Sequence, residues 1–136
     1  MTVIICTGER GEMLFNKRRV SRDEYVSLDI INTVGGRKLY VKPYSEKLFS
    51  DFGGYELCDD PLAKYSEGDF VFIEDEDITP YLEKAEGLII YNFSTRYPYD
   101  LKFDTPPAEL GFRRVDSKKF AGHSHKKIVK DVYRKL

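Results

Sequence analysis

The stretch Leu88-Ile-Ile-Tyr-Asn-Phe93 is apolar on both faces, with Asn92 the exception. A strand of that pattern belongs inside a sheet, with side chains covering it from above and below. Val3 to Cys6 is a β-branched run of the same type, and Asp69 to Glu74 (Asp-Phe-Val-Phe-Ile-Glu) is entered through the turn residues Glu67-Gly68. Short helical patterns separate these runs. The order predicts an α/β (or α+β) chain forming one domain, residues 1–136, with a central mixed sheet and short helices packed on it. At 136 residues the chain buries enough surface to fold without disulfide or metal staples.

Local signals fill in the rest. Met13 to Phe15 reads as a hairpin partner of the first strand across Gly8-Glu9-Arg10-Gly11. Ser21-Arg22-Asp23-Glu24 matches a capping box, followed by a helix face of Tyr25, Val26, Leu28, Ile30, Ile31 and Val34 that Gly35-Gly36 stops. Leu39 to Val41 reads as a short strand, Ser45 to Phe49 as a short helix, and Thr79-Pro80 as the start of another. Leu101 to Phe103 and the charged Phe112 to Phe120 read as edge strands. Ser124 then caps a predicted final helix with the stripe Ile128, Val129, Val132, Tyr133 and Leu136.

Net charge is −1, so any nucleic-acid site has to be local rather than a property of the whole molecule. Cys6 and Cys58 lack a second Cys or a His at metal-ligand spacing and read as free thiols of a reducing compartment. Neither a secretory leader nor an apolar run long enough to span a bilayer is visible, which makes the cytoplasm the expected location and excludes a membrane partner. Phosphate-binding glycine motifs, dinucleotide fingerprints, zinc-finger spacings and nucleophile elbows are also missing, so no cofactor and no metal is expected.

Three polar clusters are candidates for chemistry. Asn16, Lys17, Arg18, Arg19 and Arg22 precede a helix start, where free N–H groups and arginine forks suit an anion. The plainer alternative is that Ser21 and Asp23 cap the helix and the arginines are solvated. His123-Ser124-His125-Lys126 holds both histidines, residues suited to general acid or base work, with Ser124 a possible nucleophile or a simple cap. Ser94 to Asp100, with Asp104 shortly after, follows the most apolar strand. Arg96 can hold an anion while Asp100 or Asp104 orients it or a histidine, unless this is an ordinary Tyr-Pro turn. The run Glu74-Asp75-Glu76-Asp77 lacks calcium-loop spacing, and the late basic pairs Arg113-Arg114 and Lys118-Lys119 are diluted by Asp116.

The strings Leu14-Phe-Asn-Lys-Arg-Arg-Val-Ser-Arg-Asp23, Pro43-Tyr-Ser-Glu-Lys-Leu-Phe49, Gly68-Asp-Phe-Val-Phe-Ile-Glu74, Tyr97-Pro-Tyr-Asp100 and Phe120-Ala-Gly-His-Ser-His125 resemble a small bacterial family. That family is found mainly in Firmicutes and often carries the label ribonuclease Z. Ribonuclease Z itself uses a His-x-His-x-Asp-His metal motif. Here His125 is followed by Lys126 and Lys127, so the resemblance implies the family and not the labelled activity.

The leading expectation is that Arg19, Arg22, Arg96 and His125 surround a phosphate or phosphodiester. Its concrete form is metal-independent RNA cleavage, with catalytic His125, His123, Ser124 and Asp100 and with Asn16, Arg18, Arg19, Arg22, Arg96 and Lys126 as ligand contacts. The rival is a protein-binding module such as an immunity protein or antitoxin, given abundant tyrosine and mixed surface charge. A small-molecule sensor is the third, and would add an apolar pocket beside the anion site.

Overall fold

A computed structural model describes all residues 1–136. Its strands are β1 (Thr2–Thr7), β2 (Glu12–Phe15), β3 (Arg18–Arg19), β4 (Leu39–Val41), β5 (Glu56–Leu57), β6 (Phe70–Phe72), β7 (Gly87–Asn92), β8 (Leu101–Lys102), β9 (Phe112–Phe120) and β10 (Ile128–Lys135). The helices are α1 (Glu24–Val34) and the single turn α2 (Pro61–Lys64), with 3₁₀ segments at Pro43–Leu48, Thr79–Tyr81 and Pro107–Leu110.

Seven strands form the main sheet in the order β5-β4-β6-β1-β7-β10-β9, and β3-β2-β8 form a small second sheet. The five strands from β5 to β7 run parallel, while β10 is antiparallel to both β7 and β9. The sheet is therefore mixed, as the sequence predicts. β1 lies at its centre because Val3, Ile4 and Ile5 are all fully buried and need cover on both faces.

Period-2 alternation sorts the core into two layers. Ile4, Phe70, Phe72, Ile89 and Tyr91 face α1, where they meet Val26, Ile30 and Val34. Val3, Ile5, Val71, Ile73 and Leu88 face the other way, onto Met13, Ile78, Leu82 and Phe103. Gly35 ends α1 in the left-handed conformation, φ 60°, and donates its N–H to Ile31. Cys6 and Cys58 are unpaired, and no helix is long and apolar enough to cross a membrane.

Three sequence expectations change. The first hairpin does not form, because β1 already has β6 and β7 on its two edges and β2 pairs with β3 and β8 instead. The α1 cap is Asp23 rather than Ser21: its side chain accepts from the Tyr25 N–H. The final segment is strand β10 and not a helix. Its Ile, Val and Tyr residues suit either period, but wedging between β7 and β9 buries apolar groups on both faces, which a helix there does not achieve. Ser124 caps no helix, and its N–H donates to Asp23 in the connection before β10.

Core packing has a direct test. Ile5→Ala removes a side chain with no exposed surface from the central strand and is expected to cost about 2–5 kcal/mol. Leu136→Ala, at a position 85% exposed, should shift the urea midpoint hardly at all.

Candidate functional site

The connection leaving β1 through α1 runs toward β4, whereas the connection leaving β6 runs the opposite way to β7. Carboxyl ends of strands at such a reversal are where open α/β sheets place ligand groups. Cys6 and Thr7 end β1 there, Ile73 and Glu74 follow β6, and the N-terminus of α1 sits beside them.

Asp23, the α1 cap, has no exposed side-chain surface. One carboxylate oxygen, Oδ1, accepts from Tyr25 N and His123 N, both at 2.9 Å. The other, Oδ2, accepts from Ser124 N and from His125 Nδ1, both at 2.8 Å. Burial by itself raises a carboxylate pKa, but the bonds from His125, His123, Ser124 and Tyr25 outweigh it and hold Asp23 down at about 2. An ionised carboxylate only accepts, so Nδ1 of His125 carries the donated proton. In the neutral ring, Nε2 is then the acceptor, and the Ser21 hydroxyl lies 2.8 Å from it.

Four local features hold this line of groups. The Gly122 N–H donates to His125 O at 2.8 Å, closing a tight turn. A Cβ on Gly122 would press into the Asp23 carboxylate, with Cγ at 2.9 Å, so the turn reaches Asp23 only because residue 122 is glycine. Phe93, at the end of β7, stacks on the His125 ring with centroids 4.6 Å apart. The Tyr97 hydroxyl stands 3.4 Å from Nε2. Tyr97 is itself set by the fully buried Glu12 carboxylate, which accepts the Tyr97 N–H at 2.8 Å and the Arg10 N–H. Burial pushes the Glu12 pKa up, but these backbone bonds and the Arg10 charge bring it below the usual carboxylate range.

A second buried pair closes the crevice. Arg19 makes a two-pronged contact with Glu74, 2.9 Å at each prong, and Ser45 Oγ donates to the same carboxylate at 2.7 Å. Arg19 also stacks over the Tyr44 ring at 4.8 Å. Beneath this lid, Ser21, Asp23, Cys6 and Phe93 border a cleft with about 10 Å³ of free space, room for one water. Burial and the nearby Glu74 and Asp23 charges push the Cys6 thiol pKa far up, so this cysteine stays protonated. On the outer side of His125 is a wider hollow of about 690 Å³, lined by Glu9, Ser94, Thr95, Ser124, Lys126 and Lys127.

The residues nominated from sequence scatter around this centre. His125 is in it. Ser124 contributes its backbone N–H to Asp23, while its hydroxyl lies 3.3 Å from His123 Nδ1 and not on His125. His123 is half-exposed, 3.7 Å from Glu24 and edge-on to Tyr25. Asp100 accepts the Asn16 N–H at 3.0 Å, and the acid on the histidine is Asp23. Asn16 and Lys17 are the two positive-φ residues of the β2–β3 turn, a conformation that Asn adopts readily. Arg18 and Arg22 are exposed, Arg19 is held by Glu74, Arg96 pairs with Glu9 at 3.3 Å, and Lys126 lines the outer hollow. Asn16, Arg18 and Arg19 share one hollow with Tyr97, Arg22 borders the cleft beside Ser21, and Arg19 and Arg96 already face carboxylates. Ser21 and Asp23 carry the pattern, and sequence logic explained both of them as helix caps.

No family model and no curated protein matches the chain by sequence. By shape the chain is similar to a dihydrofolate reductase from Enterococcus faecalis, whose structure was solved in complex with NADP(H) and RAB-propyl. The two superpose with a TM-score of 0.63 over 98% of this chain and 94% of that one, at 8% sequence identity. The fold is therefore that of dihydrofolate reductase.

Asp23 contributes to acid stability beside Glu12, Asp29 and Glu86, whose carboxyls are also held below their ordinary range. A depressed pKa gives a contribution that is complete above the ordinary value of 3.8 and lost as pH falls toward about 2. Unfolding followed from pH 5 to pH 2 should lose about 2 kcal/mol from this source, and the loss should be absent in Asp23→Asn. Gly122→Ala is expected to destabilise by about 1–3 kcal/mol at neutral pH through the same carboxylate, read as a lowered urea midpoint.

Proposed function

We propose that the chain is a hydrolase or acyl-transfer enzyme of small esters, with Ser21 as nucleophile, His125 as base and Asp23 as the group that orients it. The observation that carries this reading is the pair of 2.8 Å links, Ser21 Oγ to His125 Nε2 and His125 Nδ1 to Asp23 Oδ2. A nucleophile bonded to a base that is itself oriented by a buried acid is the recurring geometry of serine catalysis on unrelated folds. The five polar strings that carry the bacterial family resemblance contain Ser21, Asp23, Glu74, Tyr97 and His125, which fits a shared site.

In the first step Ser21 Oγ attacks the ester carbonyl carbon while its proton moves to Nε2. The imidazolium so formed is stabilised by Asp23, which stays ionised. The Tyr97 hydroxyl, beside the same nitrogen, donates to the carbonyl oxygen as it gains charge. The carbon–oxygen bond to the alcohol then breaks and Nε2 returns its proton to the leaving oxygen, giving an acyl-serine. Water, deprotonated by Nε2, releases the acid and restores Ser21.

RNA cleavage is less well served by the same groups. A 2′-hydroxyl needs the acceptor nitrogen that Ser21 occupies, and Arg19 and Arg96 already face carboxylates. A small-molecule sensor has its own support in the outer hollow at the carboxyl edge of the sheet, and the reductase of like fold was solved with NADP(H).

A chromogenic acetate ester and a fluorophosphonate probe test the assignment together. The native protein should hydrolyse the ester and gain one probe adduct on Ser21 by peptide mass mapping. Ser21→Ala should abolish both, and Asp23→Asn should cut turnover on the order of 10³–10⁴-fold. Folded protein that neither turns over ester nor takes up the probe, yet quenches on titration with NADPH, would move the assignment to nucleotide binding.

A further inference from the structure

Three of the four outermost strands, β5, β3 and β8, are only two residues long. The fourth, β9, has nine residues, and Arg113 through Lys119 are all exposed. β10 takes its inner side from end to end, with one bulge at Val115. Its outer row of N–H and C=O groups meets no other strand, which makes it a template for a further one.

Charge is concentrated on the same hairpin. Residues 112–136 hold nine Lys and Arg against two Asp, a net +7, in a chain of net charge −1, which leaves −8 on residues 1–111. On β9 itself, Arg113 and Lys119 make no ion pair, and Arg114 and Lys118 have carboxylates no nearer than 3.9 and 4.0 Å. The cations come as adjacent doublets, Arg113-Arg114 and Lys118-Lys119, and neighbouring strand residues point to opposite faces. Each doublet therefore puts one cation above the sheet edge and one below it.

We infer that β9 is a docking edge for an extended acidic segment of a partner protein, added to the main sheet as an eighth strand. A nucleic-acid strand lying on one face meets only half of each doublet, whereas an added strand sends side chains to both faces and also satisfies the open backbone row. A second copy of this chain is a poor occupant. Antiparallel self-pairing centred on Asp116 sets the two cationic doublets against each other and Asp116 against Asp116, and both copies bulge at Val115. The matching segment carries two acidic doublets with three residues between them, the middle one not acidic because it faces Asp116. This inference is independent of the ester chemistry.

The probe is a fluorescein-labelled peptide containing Glu-Glu-Val-Thr-Val-Glu-Glu, titrated with the full chain and followed by anisotropy. Saturable binding that weakens with salt is expected. Lys118→Glu with Lys119→Glu should weaken it about tenfold or more while leaving thermal unfolding and esterase turnover unchanged, since both side chains are exposed. Peptides N-methylated on the amides that face β9 should fail to bind, and those methylated on the outward amides should bind normally. Equal binding by the two methylated peptides would overturn strand addition. So would tighter binding to polyuridylic acid than to the peptide, or a concentration-dependent dimer that excludes the peptide.

Discussion

Everything near the carboxyl edge of the sheet is organised by one buried anion, the Asp23 carboxylate. It caps α1 through Tyr25 N, fastens the 122–125 turn through two further backbone N–H groups, and fixes the ring of His125. A carboxylate without exposed surface is costly unless its oxygens are filled, and four donors fill them. The helix start, the β9–β10 connection and the imidazole are thus parts of a single electrostatic unit. None of them can shift without exposing that charge to an unpaired state.

Around this unit the fold supplies stiffness from two sides. Phe93 directly follows β7, which is paired on both edges with β1 and β10, and lays its ring on His125. Glu12, reaching across from the small sheet, locks the Arg10 and Tyr97 backbones and so brings the Tyr97 hydroxyl to Nε2. The Arg19–Glu74 fork with Ser45 does similar work on the crevice. Like many buried ion pairs it specifies an arrangement more than it adds stability, since desolvation cancels much of the attraction.

The central layer was legible because its signal is local. Val3–Cys6, Phe70–Ile73 and Leu88–Tyr91 are apolar on consecutive positions, which an interior strand tolerates, and the mixed sheet with its helix follows from them. The C-terminal segment misled because Ile128, Val129, Val132 and Tyr133 satisfy both the helical and the extended period. The choice was made by the vacant edge of β7, a tertiary fact. The site failed for a related reason. His125 and Asp23 are 102 residues apart, and the sequence offered nearer partners for each: Ser124 for the histidine and the helix for the aspartate. Gly122 was the one readable trace, a glycine with no turn type to explain it until its contact with Asp23 is seen.

A helix cap and a loop clasp account for much of this unit, but they leave one contact over. Capping α1 takes one oxygen of Asp23, and anchoring the turn takes the backbone N–H groups of residues 123 and 124. Neither purpose calls for a histidine whose far nitrogen meets a hydroxyl at 2.8 Å, with a tyrosine hydroxyl close beside it. A Leu or Phe at position 125 would pack on Phe93 and leave Asp23 three donors, two on Oδ1 and one on Oδ2. The imidazole, by contrast, helps to fill the Asp23 carboxylate and also links that charge to Ser21 through a fixed tautomer, and this second link is not needed to cap the helix or hold the turn. It is the part of the arrangement that chemistry explains and packing does not.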